Sequence, residues 1–138
     1  TGTFTTGTGT IPFDNTIPQN TEGDEFMSLS ITPTNTANKL KVEVVFFFAN
    51  NTSLNYTVAL FQDSTSNALA AGFKQETANH AECVSFNHFM AAGTTSSTTF
   101  KVRAGGASAG TTSFNGHQGS AIYGCVIASS ITITEIEV

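Results

Sequence analysis

Apolar and polar residues alternate along most of the chain with a period of two, which sends successive side chains to opposite faces of a pleated strand. From Glu25 onward, Met27, Leu29 and Ile31 fall on one face while Phe26, Ser28 and Ser30 form a mostly polar one. Between Lys39 and Phe48 the even positions are all apolar: Leu40, Val42, Val44, Phe46 and Phe48. The odd positions change along the way, from Lys41 and Glu43 to Val45 and Phe47. This strand is therefore expected to be half-exposed in its first part and buried on both sides in its second. Solvent-facing Val45 and Phe47 would leave an apolar patch, so they are the candidate oligomer-interface residues.

Further strands are predicted over Tyr56 to Gln62, Ala68 to Phe73, Glu82 to Ala92, Thr98 to Ala104, Ser120 to Ala128 and Ser130 to Val138. Asn50-Asn51, the run Asp63 to Asn67, Gly93-Thr94-Thr95 and Gly105-Gly106 punctuate them. No ten-residue stretch carries a helical apolar pattern, and no repeat of a propeller or solenoid can be aligned. About eight or nine short strands joined by turns predict an all-β domain, an antiparallel sandwich or jelly roll. Ahead of it, residues 1–24 read as an extended Thr/Gly-rich connector or edge strand. TGTFTTGTGT holds one sizeable apolar group, Phe4, and Pro12 and Pro18 restrict the residues before them to extended backbone. Residues 25–138 form the domain proper.

The chain has 138 residues, of which 11% are charged. That suits one core and is too short for two ordinary domains. Its polar character comes from Thr, Ser, Asn and Gly. Five Lys and Arg against ten Asp and Glu give a net charge of −5 with no basic run, which argues against nucleic acid as a partner, because phosphate neutralisation dominates such binding. The longest apolar stretch, Val44 to Ala49, is far short of the roughly 20 residues of a membrane-spanning helix, so no membrane insertion is expected. The chain opens on Thr1, and we expect it to be one domain of a longer protein.

No motif fixes a chemistry. Cys83 and Cys125 show no zinc spacing and read either as small buried apolar groups or as a mutual disulfide. His80 and Glu82 lie two apart, which suits a metal or a base but lacks a third ligand, so a solvated pair is the plainer reading. His88 alternates with Phe86 and Met90 and reads as a core or interface histidine. Glu135 and Glu137 read as the solvent side of the last strand. No nucleophile elbow or phosphate loop is present, and the clustered carboxyls of Glu22, Asp24 and Glu25 read as a solvated acidic patch in a polar turn, so neither an enzyme nor a bound cofactor or metal is expected. The loop Asn115-Gly116-His117-Gln118-Gly119 combines glycines with three hydrogen-bonding side chains, so Asn115, His117 and Gln118 are candidate ligand-binding residues. An ordinary hairpin turn is the alternative. The loops Asn50 to Ser53 and Ala104 to Thr112 are candidates beside them.

The segment Ile11-Pro12-Phe13-Asp14-Asn15-Thr16-Ile17-Pro18-Gln19-Asn20-Thr21-Glu22-Gly23, followed by Ile31-Thr32-Pro33, resembles tail-fibre and other virion proteins of tailed bacteriophages and prophages. Ala59 to Ser64 with Ala68 to Gly72, and Met90 to Thr95 with Thr99 to Arg103, are similar to the middle of the same domain. The strand count and the closing Gly124-Cys125-Val126-Ile127 are also similar to the trimeric jelly roll of the complement globular head and tumour necrosis factor superfamily. The resemblance implies a homotrimeric virion module, assembled in the bacterial host cytoplasm. In a tail fibre it would bind host-surface glycan or protein. The alternative is a capsid decoration or other virion structural protein without a host ligand, and a glycan depolymerase stands further off. It supplies no catalytic residues.

Overall fold

A computed structural model describes residues 2–138; Thr1, the first residue of the expected connector, lies outside them. Strand β2 (Asp24–Ile31) is followed by β3 (Lys39–Asn50), β4 (Leu54–Gln62), β5 (Ala70–Glu76), β6 (Ala81–Ala91) and β7 (Thr98–Gly106), and β11 (Ser130–Ile136) closes the series. Shorter pieces are β1 (Thr5–Gly7), β8 (Thr112–Phe114), β9 (Gly116–His117) and β10 (Ser120–Ala121). One sheet, A, has β6 on one side of β3 and, on the other, β11 beside the first half of β3 and β8 beside its last residues, with β1 outside β8. The other, B, has the order β2-β7-β4-β5. All these pairings are antiparallel. With β2-β7-β4-β5 opposed to β11-β3-β6, the sandwich is wound as a jelly roll.

The core follows the period of two. Leu40, Val42, Val44, Phe46 and Phe48 of β3 meet Tyr56, Val58 and Leu60 of β4 and Phe100 and Val102 of β7, all buried. Phe48 stacks on Tyr56 with ring centroids 4.0 Å apart, and Phe46 contacts Phe26 and Phe114 at 5.4 and 5.0 Å. These aromatic pairs add directional packing to the area they bury.

Four expectations change. A bulge between Glu25 and Met27 leaves Phe26 opposite no partner. The extra residue turns Phe26 inward beside Met27, so the face containing Phe26 is not simply polar. The strand expected over Ser120 to Ala128 is instead the two-residue β10 and a 3-10 turn, Tyr123–Cys125, because Tyr123, Gly124 and Cys125 all take positive φ (50°, 61° and 63°) and cannot pleat. The cysteines are free and half-buried: Cys83 faces outward on β6 opposite Phe47, and Cys125 lies in the 3-10 turn. Glu135 faces a loop rather than open solvent. One of its oxygens accepts bonds from Asn38 Nδ2 (2.7 Å), Thr34 N (2.8 Å) and Thr34 Oγ1 (2.9 Å), and the Asn38 bond leads in holding its carboxyl below the usual range. Glu137 is exposed.

The two-sided burial expected in β3 is not supplied within the chain. Only one sheet packs on sheet A, so Val45 is half-buried and Phe47 is 37% exposed on its outward face. Sheet B is covered in part on its outer face, where Ala59 and Phe61 are buried while Phe73 on β5 stays exposed. Residues 11–23 run over its outer face, where the Arg103 guanidinium donates to the carbonyls of Glu22 and Gly23 at 2.7 Å each, and Phe13 packs on Phe73 with centroids 5.0 Å apart. Ahead of them, Gly9 N donates to Asp24 Oδ2 (2.6 Å) and Ile11 N to Gly106 O (3.0 Å), and Ile11 is fully buried.

Candidate functional site

At the end of the sandwich where β3 finishes, three connections converge on a polar cleft of about 410 Å³. They are the β3–β4 turn with Asn50 and Asn51, the β5–β6 turn with Asn79, and the β9–β10 hairpin with Gln118 and Gly119. Thr111, just before β8, Ser113, on it, and Ala49 of β3 complete the wall. The candidate loops Asn50 to Ser53, Ala104 to Thr112 and Asn115 to Gly119 thus each contribute to one concavity. The β5–β6 turn is the part that sequence reasoning missed. The turn-favouring Asn79 was the signal in the sequence, and in the structure it takes a positive φ of 63°.

Each candidate residue has a distinct position. Gln118 (φ 48°) and Gly119 (φ 75°) are the two central residues of the β9–β10 hairpin, the primed-turn geometry that needs positive φ at both. The turn is therefore a hairpin as the plainer reading had it, and its tip lines the cleft. Gly116 leaves room for Phe4, whose ring would lie 2.5 Å from a Cβ there. His117 stands at the margin, its ring Nε2–H donating to the Asn79 carbonyl at 2.6 Å, which ties the hairpin to the β5–β6 turn. Asn115 is behind the wall and 2% exposed. Its Nδ2 donates to Thr3 O (3.1 Å), while its Oδ1 accepts from Ser129 N (2.8 Å) and Ser129 Oγ (2.7 Å). The carboxamide is thereby engaged inside the protein, in the left-handed conformation (φ 54°) that Asn tolerates best among non-glycines.

Behind Asn50 lies a polar interior. Glu76, the last residue of β5, is 2% exposed, and its Oε1 accepts the Asn50 amide at 2.9 Å. Its Oε2 has no hydrogen-bond partner among the described residues, and neither does the Tyr56 hydroxyl. Burial pushes the Glu76 carboxyl up to about 7, with the Glu82 carboxylate adding to the rise and the Asn50 bond opposing it. Burial likewise raises the Tyr56 phenol.

The remaining titratable candidates are not brought together. His80 is exposed in the β5–β6 turn, and Glu82 is held by Lys74 at 2.9 Å. His88 faces inward, half-buried, between Phe86 and Met90 on β6. Among the described residues no group of three or more His, Cys, Asp or Glu stands close enough to share a metal ion.

Sheet A carries a second surface. Val45 and Phe47 of β3 share its outer face with Phe89 of β6, 54% exposed, and Ile136 of β11, 39% exposed. Cys83 and the Lys41–Glu43 ion pair lie among them.

No family model and no curated protein matches the chain. Among solved structures, that of infectious bursal disease virus, Gx strain, is similar at a TM-score of 0.39 and 12% identity, over 99% of this chain and 36% of the viral one. The chain spans little more than a third of that protein's length.

Proposed function

We propose that this chain is a virion structural module of a tailed bacteriophage that assembles as a homotrimer through the outer face of sheet A and attaches to the bacterial host surface through its loop end. It acts by binding, not by catalysis. The observation that carries the reading is a cluster of exposed apolar side chains on the outer face of sheet A, Phe47, Phe89 and Ile136 with half-buried Val45 beside them, whereas residues 11–23 cross the outer face of sheet B, where Ala59 and Phe61 are buried and Phe73 stays exposed. A closed threefold assembly buries one such face per subunit without leaving an open edge. The family resemblance of residues 11–23 supports the same reading. So does a surface of Thr, Ser and Asn, suited to an extracellular particle. The polar cleft supplies a concave recognition site.

The test uses Phe47→Asp and Val45→Asp. Each places a carboxylate on the outward face, where the monomer tolerates it and a buried interface does not. Sedimentation velocity is expected to show trimers for the unmodified chain and folded monomers for the variants. Variants that remain trimeric defeat the interface. Immunogold labelling of particles then separates fibre from capsid, and a purely capsid location would favour the decoration reading.

A further inference from the structure

We propose that the cleft between the β3–β4 turn, the β5–β6 turn and the β9–β10 hairpin is a binding site for an uncharged sugar unit. This rests on the host-attachment reading and names the class of ligand for it. The argument starts from what the wall lacks. None of its residues is charged, although the chain carries fifteen ionisable Lys, Arg, Asp and Glu side chains. Lys74, Lys41 and Arg103 are drawn to Glu82, Glu43 and Glu25 elsewhere. A phosphate, sulfate or carboxylate entering here would meet no cation, while the Glu76 carboxyl stands directly behind Asn50. With a net charge of −5 on the whole chain, anionic ligands are disfavoured at both short and long range.

What the wall offers is carboxamide. The Asn79 and Gln118 side chains make no intramolecular hydrogen bond among the described residues. Asn51 uses only its oxygen, accepting Thr111 N at 2.7 Å and Thr52 Oγ1 at 3.2 Å, which leaves its NH₂ to face outward partners. A primary amide presents donors and an acceptor side by side, matching the paired hydroxyls of a sugar ring without requiring charge. The volume of about 410 Å³ lies within the usual range for small-ligand sites, about 300–1,000 Å³. The backbone that carries two of the three amides is fixed: Asn79 and Gln118 both sit at positive φ, and the His117 ring ties their turns together.

The probes are galactose and N-acetylglucosamine as neutral sugars, with glucuronic acid and glucose 6-phosphate as charged counterparts, each titrated into isotopically labelled protein. The neutral pair is expected to move the side-chain amide signals of Asn51, Asn79 and Gln118 with millimolar saturation. Asn79→Gly with Gln118→Gly removes both amides while keeping backbone that glycine adopts without strain, and is expected to weaken binding at least tenfold with the fold retained. Three results would overturn the proposal: no shift with any of the four sugars, stronger binding of the charged pair, or neutral binding unchanged in the double variant. Adsorption of the unmodified protein to a panel of bacterial cells separates the two layers of the argument. Adsorption that survives in the double variant overturns the cleft as the contact and leaves host attachment standing. Sugar binding without adsorption to any cell supports the cleft and removes host attachment.

Discussion

Two stretches of the chain carry the same apolar pattern and meet different fates. In β3, Val44-Val45-Phe46-Phe47 is apolar at both parities, and in β4 so is Val58-Ala59-Leu60-Phe61. Val44, Phe46, Val58 and Leu60 fill the space between the sheets. The outward residues differ: Ala59 and Phe61 are as buried as the core, under residues 11–23 of the same chain, whereas Phe47 is 37% exposed. A two-sided apolar strand therefore states that both faces need cover. It does not state whether the cover is intramolecular. Here residues 11–23, the strap, supply it for Ala59 and Phe61 of sheet B, and the outer face of sheet A, with Phe47 exposed, is the one that the proposed assembly would cover.

The largest expected effect sharpens that contrast directly. Phe61→Ala should cost about 3–5 kcal/mol in urea denaturation, the usual range for emptying a buried phenylalanine site. Phe47→Ala in the isolated monomer should stay within about 0.5 kcal/mol, as at other open surface sites. Equal losses at the two positions would break the comparison.

Sheet B has a weak point that sheet A lacks, at Glu76. Its carboxyl titrates near 4.5 in the unfolded chain and is pushed up to about 7 when folded. Between those values the folded state binds the extra proton, so stability is highest below about pH 4.5, falls as pH rises through about 7 and is level above it. The fall amounts to at most about 3–4 kcal/mol, from about 1.36 kcal/mol for each pH unit between 4.5 and about 7. Glu76→Gln keeps an acceptor for the Asn50 amide and should flatten this segment of the curve. An unchanged slope in the variant would assign it to another group.

Arg103→Ala should loosen the strap, since two charge-assisted bonds to backbone carbonyls are lost. We expect about 1.5–3 kcal/mol per bond at most, with faster amide exchange confined to residues 12–23 and none added in β3. Exchange spreading through sheet A would mean that the strap is integral to the core. His117→Ala removes one exposed hydrogen bond and should cost no more than about 1 kcal/mol, read as a small fall in melting temperature.

How far these features could be read from the residues depends on their range. The even positions of Lys39 to Phe48 announce the core, because strand parity is local and Leu40 to Phe48 obey it without a break. Phe26 escapes the same logic, since one bulged residue reverses the phase and nothing in Glu25-Phe26-Met27 announces it. Pro12 and Pro18 show that the strap is extended, but that it meets Arg103 is a contact across some eighty positions, invisible to any local pattern. At the cleft, the hairpin tip is legible in Gln118-Gly119. Asn115 is a hydrogen-bonding loop residue by type, yet its inward direction is set by Thr3 and Ser129, distant in sequence and silent about it.

The most direct test of the account is the solution mass of the unmodified chain, by light scattering coupled to size exclusion. Three times 14.4 kDa is the result predicted by a bare outer face on sheet A that a threefold assembly covers. A single 14.4 kDa species at concentrations that favour assembly would contradict it, because Phe47, Phe89 and Ile136 would then stay exposed to water in the stable form of the chain.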